Sequence, residues 1–117
     1  MSSIEELLRD FRLAAMEKGE EGGPRDHQLY EQLRSCFHEL MAFGEPGRAA
    51  FASLLHDSGN SVRGRAGAQL LSEGNKDALA VLRGLAVEEG IPGFNARMAL
   101  EEYEAGRLSS PFPATAS

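Results

Sequence analysis

The chain has a single cysteine, Cys36, so no internal disulfide can form. Cys36 lies among apolar neighbours on a helical pattern, which predicts burial as a small hydrophobe, with a reactive thiol as the alternative. No apolar run approaches the roughly 20 residues that a membrane-spanning helix requires. Met1 to Arg12 alternates charged and apolar positions, without the basic start and unbroken apolar stretch of a secretory signal. A cytoplasmic location is therefore expected. Basic residues are also scarce, 12 against 18 acidic, and the net charge of −6 opposes both nucleic acid and anionic membranes as partners.

The ingredients of a catalytic or metal centre are sparse as well. His27, His38 and His56 are too far apart in sequence for a helical ligand pair, which needs a spacing of three or four. They are expected to face solvent or to bond locally. Cys36 and His38, two positions apart on one helix, point in different directions and so do not form a nucleophile pair. No strand is evident, and hence no strand-to-helix phosphate loop. The expectation is a chain without catalytic residues, cofactor or metal.

Helical periodicity is what the sequence does have. The 117 residues, 42% of them hydrophobic, suit one compact domain. Ile4, Leu7, Leu8, Phe11, Ala14 and Ala15 form the stripe of a first helix, opened by a Ser3-x-x-Glu6 capping box and ending near Lys18. Gly19, Gly22, Gly23 and Pro24 break the pattern. A second helix, with Asp26 as its N-cap, carries Leu29, Leu33, Cys36, Phe37 and Leu40 and stops at Gly44. Pro46 suits the first turn of a third, whose buried side is Ala50, Leu54 and Leu55. A fourth, capped by Asn60 or Ser61, carries Val62, Ala66, Leu70 and Leu71, and its small residues Gly64, Ala66, Gly67 and Ala68 predict close approach to neighbouring helices. A fifth spans about Asp77 to Glu88.

In a sixth helix, entered through a Pro92-Gly93 turn, Phe94 and Met98 lie on one side and Ala96, Ala99, Leu100 and Tyr103 on another. That pattern implies packing against more than one neighbour. Residues 1–108 are thus expected to form one domain, and residues 109–117, aperiodic with two prolines, a disordered tail. Most aromatics fall on or near apolar stripes, leaving Tyr30 and Phe112 as anchors for a partner.

At a constant offset of 32 positions, Val62 falls over Phe94, Arg65 over Arg97, Ala66 over Met98 and Leu71 over Tyr103. The two halves therefore read as successive helical hairpins. The fold class expected is all-α: about six helices in stacked antiparallel pairs, arranged as a right-handed HEAT/armadillo-like stack. The segment Asp57 to Leu71, with Asn60-Ser61-Val62-Arg63 opening a helix, resembles the inter-helix turn of HEAT-like proteins.

From Ser61 to Leu108 the chain resembles an uncharacterised bacterial family of small HEAT-like domains, some encoded in polymorphic toxin–immunity loci. The resemblance is carried by Val62-Arg63, by Ala78-Leu79-Ala80-Val81-Leu82, and by Gly93-Phe94-Asn95-Ala96 running to Leu100, Gly106 and Leu108. It implies an immunity protein that occludes the active site of a cognate toxin. A HEAT-like scaffold or adaptor for an unrelated protein is the alternative. A nucleic-acid-binding repeat would need a basic face, for which Arg63, Arg65 and Arg97 are the candidates. The acidic groups are Glu17, Glu20 and Glu21; Glu88 and Glu89; and Glu101, Glu102 and Glu104. They read either as solvated helix faces or as complements to a basic partner. On the second reading the partner-binding residues are Asp57, Glu73, Glu101, Glu102 and Glu104.

Overall fold

Ser3 opens the first helix through the expected capping box. The Ser3 N–H donates to Glu6 Oε1 and the Glu6 N–H donates to Ser3 Oγ, both at 3.1 Å. The computed structural model describes residues 2–18 and 25–113. Over these residues the chain is all-helical: α1 (Ile4–Lys18), α2 (Asp26–Ala42), α3 (Glu45–Ala52), a 3-10 turn (Ser53–His56), α4 (Asn60–Ser72), α5 (Lys76–Ala86) and α6 (Ile91–Glu104). The glycines expected to separate α1 from α2 lie outside the described residues. Adjacent helices pack in pairs, α1 on α2, α4 on α5 and α5 on α6, while α4 also contacts α1 and α6. The radius of gyration is 13.3 Å, the value of about 13 Å typical of a compact chain this long. None of the helices described is long and apolar enough to cross a membrane.

The predicted stripes face inward: Leu7, Phe11, Ala14 and Ala15 of α1 and Leu29, Leu33, Cys36, Phe37 and Leu40 of α2 are all buried. In α4 the small residues act as expected, for a Cβ built on Gly67 would sit 3.2 Å from Leu82 Cδ2 of α5. Helix starts differ from expectation. Asp26 is the first residue of α2, whose N-cap is Arg25, and neither Asn60 nor Ser61 caps α4, whose N-cap is Gly59. At α5 the cap is Asn75, whose side chain accepts from the Asp77 and Ala78 N–H groups.

Two connections share a device that hydrophobic periodicity does not reveal. Gly44-Glu45-Pro46-Gly47 leads into α3 and Gly90-Ile91-Pro92-Gly93 into α6, so Pro92 and Gly93 belong to the helix and not to a turn before it. Gly44 and Gly90 have φ of 74° and 90°, in the region that favours glycine. A Cβ on Gly47 would lie 1.8 Å from the Leu40 carbonyl oxygen, and one on Gly93 2.0 Å from that of Glu88. Each new helix therefore begins directly against carbonyls at or just beyond the end of the preceding one, Leu40 of α2 for Gly47 and Leu85 of α5 with Glu88 after it for Gly93.

The offset of 32 that aligns α4 with α6 does not carry over to burial at two of its pairs. Val62 and Ala66 are in the core, whereas Phe94 and Met98, their counterparts at that offset, are exposed. At these pairs the repeat matches residue types but not the environments they occupy.

The largest departure lies at the C-terminal end. The segment 109–113, expected to be part of a disordered tail, is packed, while residues 114–117 lie outside the described residues. Phe112 is only 2% exposed. Its ring lies 5.8 Å from Phe11 and 5.7 Å from Phe37, and both of those rings contact Phe51. Burying such a ring is worth about 1.5–3 kcal/mol, enough to order a short segment whose prolines have already reduced its conformational freedom. Polar contacts hold the backbone beside it: Tyr30 Oη donates to the Pro111 carbonyl at 2.6 Å and Arg34 Nε donates to that of Pro113 at 3.2 Å. His38 Nε2 lies 3.0 Å from the same Pro113 oxygen. Tyr30 and Phe112, expected as anchors for a partner, are thus joined to each other within the fold.

Candidate functional site

The inward face of α6 is Gly93, Ala96 and Leu100, and Ile91, Phe94 and Met98 lie on the opposite face at helical spacing. As its two-sided pattern implied, α6 packs against more than one neighbour, α5 and α4, while among the described residues the side carrying Phe94 and Met98 stays exposed. Phe94 is 52% exposed, and Val87, just before the helix, is 84% exposed. Exposed acids bracket this apolar strip: Glu88 and Glu89 at its start and Glu101 and Glu104 beyond its end. At about 1.5 Å per residue, the strip from Ile91 to Met98 is on the order of 10 Å long.

The five acidic residues singled out from sequence are not one surface. Asp57 precedes α4 and Glu73 follows it, so the length of that helix, about 20 Å, separates them. The Asp57 side chain is only 11% exposed and already engaged: Arg12 Nε donates to Oδ1 at 2.5 Å, and the Gly59 N–H donates to Oδ2 at 2.9 Å. Burial alone would raise its pKa, but the Arg12 and Gly59 hydrogen bonds, with the Arg12 and Arg63 charges, hold it below the ordinary carboxylate value. Asp57 therefore joins α1 to the start of α4. Glu73 Oε2 accepts from Gln69 Nε2 at 2.7 Å, while the Glu73 side chain remains exposed. Glu102 receives Arg107 Nε at 3.1 Å. Among the described residues Glu101 and Glu104 have no ion-pair partner; Glu101, three residues after Met98, adjoins the α6 strip, and Glu104 lies at the end of the helix. Glu20 and Glu21 lie outside the described residues.

The three arginines considered as a basic face are dispersed among internal tasks. Arg97 donates to the Ala86 carbonyl at 2.7 Å, completing the C-terminal end of α5, and Arg63 donates to the Asp57 carbonyl and to Asn60 Oδ1. Arg65 is half-buried and lines a cleft of about 270 Å³ between α2, the first turns of α4 and α6, and the C-terminal segment. Tyr30, Asn60, Ser61, Asn95 and Phe112 also line it. Arg65 Nε is sealed from solvent and has no hydrogen-bond partner among the described residues. Burial pulls the Arg65 pKa down, and the charge of Asp26 partly opposes this, but the carboxylate of Asp26 itself receives Lys18 Nζ. Sequence offered only a weak clue to this cleft, an arginine among small residues on a helix otherwise read as packed.

Cys36 is buried, and burial, reinforced by the Asp10 and Glu39 carboxylates, pushes its thiol up to about 11. Among the described residues, no group of three or more His, Cys, Asp or Glu side chains is placed to hold a metal ion. The chain matches no protein-family model, no curated protein and no solved structure.

Proposed function

We propose that this chain is a protein-binding domain whose α6 outer face docks a basic partner, and that it acts as an immunity protein occluding the active site of a cognate toxin. The observation that carries the docking surface is the strip Val87, Ile91, Phe94 and Met98, exposed and apolar between exposed acids. Side chains of this size gain on the order of 1.5–3 kcal/mol each when covered. Acids at both ends favour a partner whose apolar contact region is rimmed by Lys and Arg, and they raise the rate of encounter with it. Fast capture suits an inhibitor of a lethal enzyme. The toxin as partner rests on the resemblance of Ser61 to Leu108 to domains of toxin–immunity loci.

The test is co-expression of the chain with the product of each adjacent reading frame, scored for growth rescue. A Phe94→Asp, Met98→Asp variant and a Glu101→Lys, Glu104→Lys variant are run in parallel, with helicity and thermal unfolding as folding controls. Rescue by the parent chain, lost in both variants while folding is retained, is the expected result. Absence of rescue with every neighbour removes the immunity reading. If a stable cellular complex then binds the parent but not the variants, the α6 face serves as the docking face of an adaptor.

A further inference from the structure

The cleft beside Arg65 is separate from the α6 strip and is built unlike it. Its one charged side chain is Arg65, a donor only, and the Tyr30, Asn60, Ser61 and Asn95 side chains beside it can each donate as well as accept. Arg65 contributes a guanidinium whose Nε–H is buried and, among the described residues, unpartnered, an arrangement that costs roughly 1–3 kcal/mol, and its terminal nitrogens are the atoms left to meet a molecule in the cleft. The first turn of α4 reaches the cleft through Asn60 and Ser61 with no side-chain cap hydrogen bond, and α6 reaches it through Pro92, Asn95 and Ala96. The α4 N-terminus therefore brings the positive end of its dipole to the cleft. Among the described residues no carboxylate lines the cleft, although the chain as a whole carries a charge of −6. Pro111, Phe112 and the Tyr30 ring add apolar surface to the same lining.

We infer that this cleft is a binding site for a small organic anion, with its carboxylate or phosphate head on the Arg65 guanidinium and a flat apolar body against Phe112 and Pro111. A volume of about 270 Å³ lies just below the range of roughly 300–1,000 Å³ usual for small-molecule pockets, which limits the ligand to a compact molecule of one ring or so. The planar guanidinium suits the paired oxygens of such a head group. Because Pro111 and Phe112 are part of the lining, an occupied cleft also holds the C-terminal segment in place.

The experiment titrates the chain with benzoate, phenyl phosphate and the neutral isostere benzamide, following the Arg65 Nε–H resonance by ¹⁵N-correlated NMR and affinity by calorimetry. Benzoate or phenyl phosphate should shift that resonance and benzamide should not; which acid binds more tightly identifies the head group. Arg65→Gln should weaken binding about ten- to hundredfold, the loss of one charge-assisted hydrogen bond. Arg65→Lys should restore part of it, and Arg83→Gln, on the exposed surface of α5, should leave it unchanged. Ala68→Leu fills the cleft without altering charge and should abolish binding, so the test does not depend on the folding of one variant. Benzamide binding as tightly as benzoate, an affinity unaffected by Arg65→Gln, or an Arg65 resonance unmoved by any probe at millimolar concentration would each overturn the inference.

Discussion

Gln69 holds Phe112. On the buried side of α4, Gln69 Oε1 accepts the Phe112 main-chain N–H at 3.0 Å and the Ser110 hydroxyl at 2.8 Å, while its Nε2 donates to Glu73. Among the described residues Gln69 is the one buried polar residue, 2% exposed, and one amide satisfies both partners in the C-terminal segment. Gln69→Leu is therefore expected to destabilise the fold by about 1–3 kcal/mol, since it leaves the Phe112 N–H without an acceptor. Phe112→Ala should cost about 3–5 kcal/mol, and truncation after Leu108 a similar amount. Urea unfolding of the three variants checks this. A truncated chain as stable as the parent would mean that the segment contributes nothing to the core.

The connections into α3 and α6 give a second prediction. Gly47→Ala and Gly93→Ala each place a methyl group against a backbone carbonyl that cannot move aside independently, so each is expected to cost about 3 kcal/mol or more. Gly84, on the exposed side of α5, has nothing within 4 Å of a built Cβ. Gly84→Ala should therefore stabilise by about 0.5–1 kcal/mol through helix propensity alone. Thermal unfolding of the three variants should give two large decreases and one small increase.

These residues also indicate what could be read in advance. The stripes of α1 and α2 and the capping box at Ser3 follow from spacing, because one local period determines which side chains face inward. Phe112 belongs to no period. It is buried because three helices leave a gap lined by Phe11 and Phe37, a fact of tertiary packing that local sequence does not encode. Gln69 reads as an ordinary helix residue until its partners, some 40 positions away, are in place. Phe94 gives the converse case: an apolar residue at helical spacing on a face that the chain leaves uncovered. The acidic candidates divided for a similar reason, since charge in sequence does not distinguish Asp57, tied to Arg12, from Glu101, which points outward unpaired.

Cys36 should be chemically silent in the folded protein. With its thiol pushed up to about 11 by burial, only on the order of one molecule in ten thousand carries a thiolate at neutral pH, and the sulfur has little access to reagent. Reaction with a disulfide reagent such as DTNB is expected to proceed only as the chain unfolds, and to become rapid in denaturant. Fast labelling of the native chain would show that the α2 face carrying Cys36 opens without global unfolding.

The Asp57–Arg12 pair gives stability a definite dependence on pH. The Asp57 pKa is lower in the folded chain than its ordinary value of 3.8, so the unfolded chain binds the proton more readily. The contribution of the pair is therefore complete above pH 3.8 and is lost as the pH falls through that value toward the folded pKa. Glu6, held low by its hydrogen bonds with Ser3, and Asp26, held low by Lys18, act in the same direction. Asp57→Asn keeps the shape but removes the charge. At neutral pH it should cost about 1–3 kcal/mol, between the values for exposed pairs and for buried charged hydrogen bonds. Near pH 3 the difference between variant and parent should narrow as the parent's own carboxyl takes up a proton. Urea midpoints measured from neutral pH downward test this. Curves that stay parallel throughout would mean that Asp57 supports the fold by its shape and hydrogen bonding alone, and that its ionisation plays no part in joining α1 to α4.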